Sequence, residues 1–95
     1  MTTEIDNLRA TIDNLRAGRD QHRKTLKALE RALALAERQE RSHRGSQSWI
    51  AYFALPALRE SIESHRKAIA EADDALSRAV WAEFQAERAA AGLAA

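Results

Sequence analysis

No cysteine occurs in the 95 residues, so disulfides, thiol catalysis and thiolate metal sites are excluded, and nothing ties the chain to an oxidising compartment. One proline and three glycines leave almost no punctuation, and β-branched and aromatic residues are too sparse to support strands. The longest apolar run, from Trp49 to Leu58, is about half the ~20 residues that a membrane span needs. The opening Met1-Thr2-Thr3-Glu4 lacks the basic-then-apolar layout of a signal peptide, and a soluble cytoplasmic protein is expected. No glycine-rich phosphate loop is present. Ser61 and Ser64 have no evident base, and Glu60, Glu63, Asp73 and Asp74 read as ordinary helix-surface carboxylates. The chain is not expected to be an enzyme, and no cofactor is expected.

What is present is a repeat. Ile5-Asp6-Asn7-Leu8-Arg9-Ala10 recurs letter for letter as Ile12-Asp13-Asn14-Leu15-Arg16-Ala17, seven positions later. A seven-residue apolar period keeps one stripe of a helix facing a partner helix. Of the residues counted as hydrophobic, 21 are alanine, which favours helix but buries little area. The large side chains therefore mark where contacts matter. The fold class expected is all-α: a long antiparallel helical hairpin, coiled-coil-like, kinked near Gly18 and Pro56 and assembling into an oligomeric helical bundle.

A single domain over 1–95 is expected, with an N-terminal helix over 3–17 that either continues into or is broken from a helix over 20–44. A turn at 45–47 follows, then a second arm over 48–91 that Gly92 stops. Gly18 costs a helix only about 1 kcal/mol, so it marks a kink as easily as a break. Pro56 removes a backbone donor inside the second arm, and a kinked continuous helix is preferred there over a fresh start capped by Leu55.

The heptad gives seam positions Ile5, Leu8, Ile12, Leu15, Arg19, His22, Leu26, Leu29, Leu33, Ala36, Glu40 and His43 on the first arm. On the second it gives Ala51, Leu55, Leu58, Ile62, His65, Ile69, Ala72, Leu76 and Ala79. The two sets pair antiparallel with residue numbers adding to 91, so that Leu29 meets Ile62 and Leu15 meets Leu76. Beyond Leu76, Val80 and Phe84 are expected to take over from Ala79 and Glu83, as the helical period slides against the heptad. The same register sets Arg19 beside Asp73, predicting a partly buried ion pair that fixes register.

Trp49, Ile50 and Phe53, and likewise Val80, Trp81 and Phe84, fall outside this seam and are candidate interface residues. They are expected to be covered in a homo-oligomer, a dimer or higher, or by a protein partner. The second candidate is a basic stripe. Net charge is only +1, but residues 16–44 carry nine bases and four acids. Arg16, Arg19, Arg23, Lys27, Arg31, Arg38 and Arg41 share about a third of the helix circumference. They are candidates for an anion, a nucleotide or nucleic acid. The competing expectation is that Glu60, Glu63, Glu71, Asp73 and Asp74 of the second arm neutralise them. His22, His43 and His65 lack the i, i+4 spacing that puts two imidazoles on one helical face, the register separates them, and no metal is expected.

Functionally, the pattern points to an oligomeric interaction protein that binds another macromolecule. A phage or mobile-element inhibitor of a bacterial defence system matches that size and style by association only. The alternatives are an oligomeric binder of a phosphorylated ligand, such as a nucleotide messenger, or of nucleic acid, and a passive coiled-coil scaffold.

Overall fold

The computed structural model describes the backbone of residues 3–42 and 46–94 and the side chains of residues 3–41 and 53–92. All of the described backbone is helical: α1 is Thr3–Ser42 and α2 is Ser46–Ala94. The fold is an all-α helical hairpin. Its expected turn at 45–47 lies partly outside the described residues, as does the side chain of His43, while α2 is already helical at Ser46.

Both doubtful punctuation marks are absorbed. α1 runs unbroken through Gly18 and α2 through Pro56. A single glycine costs about as much as one good helical contact returns, and α1 carries long runs of strong helix formers on either side of it. Gly92 does not stop the last helix, which continues to Ala94; alanines on both sides favour helix strongly enough to carry it past one glycine.

The chain divides into two compact units, Met1–Asp20 with Ala70–Ala95, and Gln21–Ile69. In the first, Ile12 and Leu76 are the buried core residues. Arg9 meets Glu83 and Glu87 while Arg19 meets Asp73, so the two segments run antiparallel. In the second, Ala36, Leu55 and Ile62 are buried, and the ion pairs Glu37–Arg59 and Glu30–Arg66 again run in opposite order. All five buried residues belong to the heptad stripe. One part of the seam differs from expectation: Val80 and Phe84 are exposed, whereas Ala79 and Glu83 are half-buried, so the stripe holds its heptad beyond Leu76. Glu83 there accepts a 3.0 Å hydrogen bond from Arg9 Nε.

At Gly18 a Cβ would meet no atom within 4 Å. Gly18→Ala should therefore raise stability by about 0.5–1 kcal/mol, read as a higher urea midpoint with unchanged slope, because alanine limits the unfolded chain and favours helix. A lower midpoint would show that α1 does not run straight through this position.

Candidate functional site

Residues on one helix at i and i+3 or i+4 are neighbours, and α2 uses that spacing three times in nine residues. Trp81 stacks on Phe84 with ring centroids 5.5 Å apart and planes inclined by 26°. Val80 lies one turn before Phe84, and Arg88, one turn after it, sets its guanidinium 5.9 Å from the Phe84 centroid, within cation–π range. These apolar side chains are half exposed: Trp81 is 58% accessible, Phe84 47% and Val80 44%. Apolar surface exposed on adjacent turns makes this face a candidate contact surface.

The same face borders an open groove of about 720 Å³ lined by Arg16 and Arg19 from α1 and by Asp73, Leu76, Ser77, Val80, Trp81 and Phe84 from α2. The expected ion pair is present there. Arg19 Nη1 donates to Asp73 Oδ1 at 3.2 Å, and the Arg19 side chain is 23% exposed. Its Nε is buried and makes no hydrogen bond, with Asp20 Oδ1 at 3.7 Å, too long for one. Arg9 is better served: Nε donates to Glu83 at 3.0 Å and Nη2 to Glu87 at 2.9 Å. The hydrogen bonds to Glu83 and then Glu87 favour the charged guanidinium and push the Arg9 pKa up. Arg16, one heptad along, forms no ion pair with any described residue.

Of the sequence-derived candidates, Val80, Trp81, Phe84, Arg16 and Arg19 come together at this groove. The side chains of Trp49 and Ile50 lie outside the described residues. Phe53 is exposed and, in the second unit, borders a smaller hollow with Glu40, Leu55, Pro56 and Arg59. Arg23, Lys27, Arg31, Arg38 and Arg41 are exposed along α1 in that unit. Of these, Lys27 and Arg31 form no ion pair with a described residue. Of the five acids proposed to answer the stripe, Asp73 pairs across to Arg19, Asp74 pairs within its own helix to Arg78 at 3.1 Å, and Glu60, Glu63 and Glu71 are exposed. In the second unit the polarity is reversed: the acids Glu30 and Glu37 stand on α1 and the bases Arg66 and Arg59 on α2. Arg9, Arg88 and the exposed Leu35 were not among the candidates; the first was legible, because it is the repeat partner of Arg16.

The histidines require a correction. His22 and His65 are not separated but meet, Nδ1 to Nδ1, at 2.8 Å, both half-buried, with ring centroids 5.0 Å apart. That spacing is close to the contact plus two ring radii, so the nitrogens point at one another and share one hydrogen: one Nδ1–H donates and the other Nδ1 accepts. The expectation failed because it paired each histidine with the seam residue opposite, whereas side chains in an antiparallel seam also reach one turn diagonally. Among the described residues no group of three or more His, Asp or Glu is placed to hold a metal ion, and no described helix is long and apolar enough to cross a membrane.

Comparison with known proteins adds no likeness: no family model matches the chain, and neither a curated protein nor a solved structure is similar to it.

The histidine contact is separable from the groove and can be weighed by a double-mutant cycle. His22→Leu or His65→Leu alone strands the remaining ring and should cost about 1–2 kcal/mol, while the double change to leucine should be close to neutral. Urea unfolding of the four proteins checks this, and additive losses would show that the rings do not bond.

Proposed function

We propose that this chain is a non-catalytic helical binding protein that works by occupying the surface of another macromolecule, with the Val80, Trp81 and Phe84 face of α2 as its contact surface. The observation that carries the reading is the exposure of these three large side chains beside a groove. The chain has few such side chains, and its buried ones are all committed to the seam. Tryptophan and arginine are the residues that most often dominate binding energy, and here Trp81 stands in one groove with Arg16 and Arg19. Interaction rather than chemistry also fits the groove's shape. It is open to solvent and holds one ion-paired aspartate and a serine, with no base beside the hydroxyl among the lining residues.

Site-specific photo-crosslinking in the protein's native cells tests this. A benzophenone side chain in place of Phe84 should give one discrete product whose added mass is not a multiple of the 10.6 kDa chain. The same group in place of the exposed Asn14, on the opposite side of α1 from Arg16, should give none. Adding Trp81→Ala should remove the product. Crosslinks only to further copies of the chain, or equal products from both positions, would contradict the reading.

A further inference from the structure

The two copies of the opening repeat are not treated alike by α2. Arg9 is the fifth residue of the first copy and Arg16 the fifth of the second, so the heptad gives them the same position on α1. In an antiparallel pair, moving one heptad forward on α1 means moving one heptad back on α2. Arg9 reaches Glu83 and Glu87. The corresponding residues for Arg16 are Leu76 and Val80, and both line the groove with it. The repeat therefore presents a guanidinium in a place where its carboxylates have been replaced by apolar side chains, and Arg16 is left without an ion pair among the described residues.

From this geometry we infer that the partner inserts an acidic amphipathic helix into the groove, with a carboxylate on Arg16 and apolar side chains on Val80, Trp81 and Phe84. This rests on the binding role proposed above and names its partner's chemistry. The carboxylate supplies from outside what Glu83 and Glu87 supply to Arg9 from inside. A helix is the occupant that fits the dimensions. From Asp73 to Phe84 the groove follows α2 for about three turns, roughly 16 Å, long enough for the i, i+4, i+7 anchors of a helix laid alongside. Its open side suits a ligand that keeps one face in water, whereas small-molecule sites enclose most of their ligand. Charge decides against the same face of a second copy of this chain. The same face of another copy brings Arg16 and Arg88 again, and its groove carboxylate, Asp73, is already engaged by Arg19.

The test uses the full chain and two fluorescein-labelled helix-forming peptides of about five turns. Both carry leucine along one face; one has glutamate on both flanks of that face and its twin has lysine at every such position. Fluorescence anisotropy should show the acidic peptide binding at least about tenfold more tightly than the lysine twin, the scale of one charge-assisted hydrogen bond. Arg16→Gln should reduce that preference to less than about twofold, while Arg31→Gln, exposed in the other unit, should leave it intact. Val80→Glu should abolish binding of the acidic peptide by giving Arg16 an internal carboxylate, as Arg9 has. Circular dichroism of each variant should match that of the parent. Equal affinity for both peptides, a preference that survives Arg16→Gln, or binding of neither peptide overturns the inference. So does displacement of the acidic peptide by inorganic phosphate at micromolar concentration, which would make Arg16 part of a small-anion site. Equal affinity that is lost in Trp81→Ala would remove the acidic helix while leaving the binding face itself standing, and the crosslinking experiment decides that broader reading independently.

Discussion

Two helices packed against each other can bury only one stripe of each, and every other feature of this chain follows from that limit. The stripe is supplied by the seven-residue period, and its buried members among the described residues are few: Ile12 and Leu76 in one unit, Ala36, Leu55 and Ile62 in the other. Alanine supplies much of the apolar composition, which keeps the helices regular without widening the stripe. Any large side chain placed a quarter turn away from the seam is therefore left in solvent. Trp81, Phe84 and Val80 are such residues, and their exposure is a consequence of geometry rather than of poor packing.

The flanks of the seam carry its specificity. In one unit α1 contributes the bases and α2 the acids; in the other the assignment reverses. These pairs are mostly exposed and contribute little to stability individually, but a slipped register would set like charges together in one unit or the other. The Arg16 position departs from this pattern. Its repeat partner Arg9 is held by two carboxylates, and Arg16 faces Leu76 and Val80 instead.

The seam was legible in the sequence because a heptad is a strong, long-range signal: each buried residue is one of its apolar positions, and the Arg19–Asp73 contact follows from the register alone. Local signals were weaker. Gly18 and Gly92 read as punctuation, yet a glycine in a long helix costs only about 1 kcal/mol, less than its flanking turns return. The expected drift of the stripe toward Val80 and Phe84 rested on the period of a straight helix, whereas the packed pair keeps the heptad, with Ala79 and Glu83 half-buried. The His22–His65 contact was missed for a related reason, because pairing by position ignores the reach of a side chain along the helix. At the groove, the aromatic residues were visible as apolar side chains outside the stripe. The unmatched guanidinium became visible only when Arg9 and Arg16 could be compared against what α2 offers each.

The account stands on the seam being saturated, so that Trp81 remains in water while the chain is alone. The most direct measurement is tryptophan emission and iodide quenching of the Trp49→Phe variant at low micromolar concentration, where Trp81 is the single indole. Emission close to that of tryptophan in water, with ready quenching by iodide, is the result this structure predicts. A blue-shifted emission shielded from iodide would show that the chain covers this face by itself, and would contradict the proposal that it waits for a partner.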